Sequence, residues 1–262
     1  MLSKSTISQI RLLHHKKHRE EQGLFIVEGV KSCLETLHSD YEIVQCYTTE
    51  RFDNKPVGAK HSLPPKTPNI ISEKDMSRIS CLTTPSEILC IVKNNSFQLD
   101  DLDETKPLLV LDSISDPGNL GTIIRTADWF GFHQILCSEA CVEFTNPKVI
   151  QATMGSFTRI KVVYANLIHY LKIQNHRTIY GLCMNGEPVQ KQSFHNNDII
   201  ILGSESHGIS ESLFPFINQK ITIPGFPHDN SAPESLNAAI AAGIFMYAYS
   251  IKSEVLRQLC AN

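Results

Sequence analysis

Short apolar runs, many rich in β-branched residues, recur along the chain at 24–27, 43–48, 70–71, 87–93, 108–111, 134–137, 159–164, 178–184, 198–202 and 221–223. Each is too short for a helix and bounded by turn residues, so each predicts a strand covered on one or both faces. Between them, apolar residues at helical spacing predict helices over 3–22, 30–37, 72–79, 120–130, 147–154, 167–173 and 235–258. The alternation is that of an α/β protein with a mostly parallel sheet.

The best-defined stretch is 108–131. After the apolar run, Asp112, Ser113, Ser115, Asp116, Pro117, Gly118 and Asn119 supply turn chemistry, and a helical face of Leu120, Ile123, Ile124, Ala127 and Phe130 follows, with Gly131 as its stop. Asn119 and Arg125 therefore sit near a helix start at the carboxyl end of a strand, where open α/β sheets bind ligands. Neither phosphate fingerprint, G-x-G-x-x-G or G-x-x-x-x-G-K-[ST], is present. An ordinary helix start with a solvated Arg125 fits this stretch equally well.

Two further junctions carry unusual residues. Gly203-Ser204-Glu205-Ser206-His207-Gly208 follows the strand at 198–202. A serine-hydrolase elbow needs G-x-S-x-G, and Ser204 occupies its first glycine position, so Ser206 is not read as a nucleophile. Ser235-Leu236-Asn237 opens an alanine-rich helix whose small residues admit another backbone closely, or simply pack tightly with Ser235 as cap. In a parallel sheet all three junctions lie at one edge.

Composition narrows the class. The 262 residues are 42% hydrophobic and 19% charged, enough for two modest domains or one large one with a real core. No apolar run approaches the ~20 residues of a membrane span, and the first residues form no leader, so a cytoplasmic protein is expected. The eight cysteines form no C-x-x-C pair, which favours reduced buried thiols and no metal. Net charge is −3, but residues 1–19 carry Lys4, Arg11, Lys16, Lys17 and Arg19 with no acidic residue. That is a local basic surface of the kind that follows phosphate, or else the solvated face of a first helix. The acidic, aperiodic stretch 97–106 separates a small α/β unit, 1–96, from a larger domain, 107–262.

Taken together, the junctions resemble the SpoU (TrmH) family of the SPOUT superfamily, RNA ribose 2′-O-methyltransferases. The first family motif resembles Asp116-Pro117-Gly118-Asn119-Leu120-Gly121 with Arg125-Thr126-Ala127, the second 202–209, and the third Ile223-Pro224 with Ser235-Leu236-Asn237. The likeness covers roughly 107–250. Phe25-Ile26-Val27-Glu28-Gly29 and Thr84-Pro85 also resemble the family's substrate-binding domain, of ribosomal-protein-like α/β fold. One departure is the loop 225–234, longer than the family's usual one.

The resemblance implies a trefoil-knotted domain, S-adenosylmethionine as cofactor, RNA as substrate and a homodimer whose site is completed across the interface. It implies main-chain cofactor contacts at Gly203, Ile223 and Leu236, and catalytic roles for Asn119, Arg125, Glu205 and Asn237. Arg125 is expected to bind a phosphate and stabilise the developing alkoxide, since guanidinium is effectively never deprotonated. Asn119 and Glu205 are expected to hold its fork, and Asn237 to orient the nucleophile or cofactor. Ribosomal RNA is favoured over transfer RNA because of the separate N-terminal domain; a noncatalytic RNA-binding assembly factor is the alternative of another class.

Overall fold

A computed structural model describes residues 1–52, 68–225 and 235–252. The chain forms two compact units.

The first unit opens with α1 (Lys4–Leu12) and α2 (Lys16–Gln22). The sequence pattern predicted one helix over 3–22; the chain instead breaks at 13–15, and Gly23 ends α2 in the left-handed region at φ +62°. Then follow β1 (Leu24–Glu28), α3 (Val30–Leu37), β2 (Ile43–Thr49), β3 (Asn69–Ile71), α4 (Glu73–Ile79) and β4 (Ile88–Lys93). Ser72 caps α4 as its position suggests, accepting from Asp75 N. The four strands order β1-β4-β2-β3, antiparallel except for the β2–β3 pair. Ile7, Ile10, Leu13, Ile26, Met76, Ile79 and Leu89 form one core beneath this sheet.

In the second unit, β5 (Leu108–Leu111), α5 (Pro117–Trp129) and β6 (Gln134–Cys137) come first. The chain then leaves: residues 143–159, with α6 (Pro147–Thr153), belong to the first unit. There Phe157 packs edge-on and Phe144 tilted against Phe25, Arg19 pairs with Glu143, and Arg159 bonds Glu35 at 2.6 Å. The sequence pattern assigns this segment to the C-terminal domain, because a long-range exchange of one helix leaves no local trace. Residues 97–106, read as a linker, pack in the second unit.

The chain returns with β7 (Lys161–Tyr164), α7 (Leu167–Leu171), β8 (Ile179–Pro188), β9 (Ile199–Leu202), β10 (Gln219–Thr222) and α8 (Ala238–Lys252). Six strands order β10-β8-β9-β5-β6-β7, and every pair is parallel. β5, β6 and β9 are buried residue by residue, which is why they read as unbroken apolar runs. Among the described residues no helix is long and apolar enough to cross a membrane.

Candidate active site

With all six strands parallel, the loops after β5, β9 and β10 leave from the same edge. α5 begins three residues earlier than the apolar periodicity indicates. Asp116 caps it, accepting from Asn119 N at 2.8 Å, and Pro117 takes the first turn, where its missing N–H costs nothing. Asn119 therefore stands in the first turn of the helix with its side chain free for tertiary contacts.

The loop after β9 closes on itself. Ser204 N donates to Gly208 O at 3.1 Å and Gly208 N to Ser204 O at 2.8 Å. A Cβ at Gly203 would lie 2.0 Å from the Gly208 carbonyl carbon, so only glycine fits there. The closed loop projects Glu205 outward.

α8 begins at Ala238, and its cap is Asn237 rather than Ser235. Asn237 Oδ1 accepts from Ala239 N at 3.0 Å and Ile240 N at 3.2 Å.

These three elements meet in one polar cluster. Asn119 Nδ2 donates to Glu205 Oε1. Asn237 Nδ2 donates to Asn119 Oδ1 at 2.9 Å and to Glu205 Oε1 at 3.5 Å. Ala238 N donates to the same carboxylate at 3.2 Å. Glu205 thus places a negative charge at the amino end of α8, where free N–H groups favour it. Residues 86 and 118 positions apart are joined, so the three motifs form one site.

Arg125 is not part of this cluster. It lies six residues beyond Asn119, about 240° further round the helix, exposed and without a hydrogen bond or ion pair among the described residues. Within one chain Asn119 and Glu205 bond each other and Asn237 rather than the Arg125 fork. Arg125 instead shares a face with Trp129, one turn on, which is 84% exposed.

Gly203, Ile223 and Leu236, the expected cofactor contacts, all border this edge. Ile223 is half-buried and Leu236 exposed. Apolar side chains beside a crowded glycine loop suit the flat ring portion of a ligand, held by main-chain atoms. Residues 226–234 of the long loop lie outside the described residues.

The basic N-terminal surface is smaller than the sequence suggests. Arg19 is buried against Glu143 and donates to Leu13 O at 2.8 Å, while Lys16 and Lys17 pair with Glu20 and Glu21 at 3.6 and 3.9 Å. Sequence reasoning also passed over Asp112 as a mere turn residue; its one local signal is a carboxylate placed directly after a fully buried strand.

Residues 106–247 match the SpoU rRNA Methylase family, and residues 4–90 the MRM3-like substrate binding domain. The chain is 29% identical over 242 residues to the 23S rRNA (guanosine(2553)-2'-O)-methyltransferase RlmP of Bacillus subtilis, covering 90% of this chain and 92% of that protein. Among solved structures it resembles one assigned to the TrmH family of RNA methyltransferases from Porphyromonas gingivalis, at 30% identity and TM-score 0.80, covering 95% and 98% of the two chains. An AdoMet-bound rRNA methyltransferase from Sinorhizobium meliloti superposes with TM-score 0.79 at 25% identity, covering 95% of each chain. Because the family match takes in Asn119, Arg125, Glu205 and Asn237 along with the sheet edge that gathers them, the chain belongs to the SpoU rRNA methylase family.

Proposed function

We propose that this protein transfers a methyl group from S-adenosylmethionine to a ribose 2′-hydroxyl of ribosomal RNA. The observation that carries the reading is the Asn119–Glu205–Asn237 cluster, which joins three family motifs at the carboxyl edge of a parallel sheet. When bound, S-adenosylmethionine supplies an activated methyl on a sulfonium. The chain's own residues supply position and charge. Gly203, Ile223 and Leu236 border the place for the cofactor, and the cluster fixes the loop and helix start that frame it. Arg125 binds the phosphate next to the target ribose and stabilises the alkoxide as it develops. The unit containing 1–96 engages the RNA, in keeping with its match to a substrate-binding domain.

The proposal extends to a homodimer. α8 is apolar all round: Ala238, Ala242, Phe245, Met246 and Tyr249 are buried, while Ile240, Ile244, Tyr247 and Ile251 form an exposed stripe at helical spacing. Such a helix is a buried one with half its cover missing. α5 meets the stripe through Phe130, whose ring packs edge-on against Tyr247, and Arg125 is one turn from the exposed Trp129 next to it. A second copy seated on this face would bury the stripe and bring each Arg125 towards the other chain's cluster. The family's trefoil knot belongs to the same reading, supported by the start of α8 resting on the 203–208 loop through Ala238 N and Glu205. So does a cytoplasmic setting, which an RNA substrate and the free cysteines of the described residues favour.

The test is transfer of labelled methyl from S-adenosylmethionine to separated rRNA and tRNA from cells lacking the protein. Label recovered as a 2′-O-methylnucleoside in rRNA is the expected result. Label on tRNA would redirect the substrate, label on a base would overturn the ribose chemistry, and absence of both label and cofactor binding would leave a noncatalytic RNA-binding factor.

A further inference from the structure

Asp112 follows β5 and is 4% exposed, though it is charged and touches none of the four polar site residues. One carboxylate oxygen accepts from Ser210 N at 2.8 Å. The other accepts from Ser113 Oγ at 3.1 Å. Ser113 is held at φ +60°, a conformation that costs a serine something and needs fixing partners. It has two: Asp112 through its hydroxyl, and Ser138 Oγ through its N–H at 2.9 Å.

Ser210 is where the closed loop after β9 ends. That loop enters from a strand paired on both sides, Leu202 with Leu111 and Leu182. Its tip is held by Glu205. Its exit is tied by the Asp112–Ser210 bond, and burial strengthens a charged acceptor that is well paired. We infer that Asp112 is a positioning residue for cofactor binding: it clasps the exit of the 203–208 loop in the shape that receives S-adenosylmethionine. The inference rests on the functional reading above. A clasped loop has little left to order when ligand arrives, whereas a loop free at its exit must be ordered at the expense of affinity.

The experiment is calorimetric titration of S-adenosylmethionine into wild type, Asp112→Ala, Asp112→Asn, Ser210→Pro and the double variant Asp112→Ala/Ser210→Pro, each with its thermal unfolding curve. Asparagine keeps an acceptor for Ser210 N and gains a donor for Ser113 Oγ. Proline removes the Ser210 N–H at a φ, −57°, that its ring accepts, together with the exposed hydroxyl, and it restricts Ile209 before it, so its thermal unfolding curve is read beside its affinity. Expected are at least tenfold weaker binding for Asp112→Ala and for Ser210→Pro, binding within threefold of wild type for Asp112→Asn, and a double variant no weaker than the worse single. Wild-type affinity in folded Asp112→Ala, or additive losses in the double variant, would overturn the clasp. If Asp112→Ala does not fold, Ser210→Pro alone decides: tenfold weaker binding supports the clasp and unchanged binding refutes it. A wild type that binds no S-adenosylmethionine strikes at the functional reading, whereas a binding wild type beside an unaffected Asp112→Ala strikes only at this inference.

Discussion

The parallel sheet carries polar networks at both edges, and they differ in burial and in partner. At the carboxyl edge Glu205 and Asn237 are exposed, and with Asn119 they bond mostly to one another and to the start of α8. At the amino edge the polar groups are buried and bond mostly to main chain. Gln134 Nε2 donates to Asp103 O at 2.9 Å and its Oε1 accepts from Asp103 N at 2.8 Å. Arg177, 3% exposed, donates to Asn197 O at 2.6 Å and Lys106 O at 2.9 Å. Asp198 accepts from His195 N at 2.7 Å, and Tyr249 donates to His195 O. The amino edge thus holds strand starts in register, and its groups are costly to leave unpaired. Apart from the buried Asp112, which bonds the Ser210 main chain, the Asn119–Glu205–Asn237 cluster at the carboxyl edge is open to water, contributes little to stability, and keeps its groups for a ligand.

The largest effect should come from Glu205→Ala. It removes the acceptor shared by three donors, so methyl transfer should fall about 10³-fold while the unfolding temperature moves by only a degree or two. A large loss of stability with activity intact per folded molecule would invert the comparison. Arg177→Ala should do the opposite: roughly 2 to 4 kcal/mol less stable in denaturant titration, since Asn197 O and Lys106 O lose their donor, with normal activity in the folded fraction. Arg125→Lys comes next, with about 10²-fold slower transfer and unchanged cofactor affinity, because an ammonium cannot reproduce the planar fork; full activity would remove Arg125 from the mechanism. Tyr247→Lys should shift sedimentation from dimer to monomer without unfolding the chain, and an unshifted variant would leave the α8 stripe unexplained.

The smallest effect separates the edges by pH. Burial pushes the Asp198 carboxyl above the usual carboxylate range. Its ionisation is therefore harder in the folded chain than in the unfolded one, and the native state loses stability as pH rises through that window. Asp198→Asn should raise the unfolding temperature slightly at neutral pH. The gain should shrink as pH falls through the carboxylate range and vanish below about pH 3, where the carboxyl is protonated in both states. A gain constant across pH would mean packing, not charge, was responsible.

Most of this was legible along the chain. Strand after strand in the second unit appeared as an unbroken apolar run, because both faces of a helix-covered parallel sheet are dry. Asn119, Glu205 and Asn237 stood out because turn residues followed by helix starts are local patterns. What local pattern could not convey were distances across the fold. The break at 13–15 depends on where Leu13 and Arg19 are buried. The N-terminal basic stretch lost Arg19 to a carboxylate 124 residues away. Arg125 reads as a neighbour of Asn119 along the chain, but six residues of helix set it about 120° away round the axis.

By itself, then, the sequence determined the alternation of elements, the three motifs and the family to which they belong, since hydrophobic period and turn chemistry act over a few residues. Only tertiary structure decided that residues 143–159 serve the first unit, that Glu205 gathers Asn119 and the start of α8, and that Asp112 reaches Ser210. Those choices are made by burial and by the pairing of polar groups far apart in the chain, and both exist only once the sheet has closed.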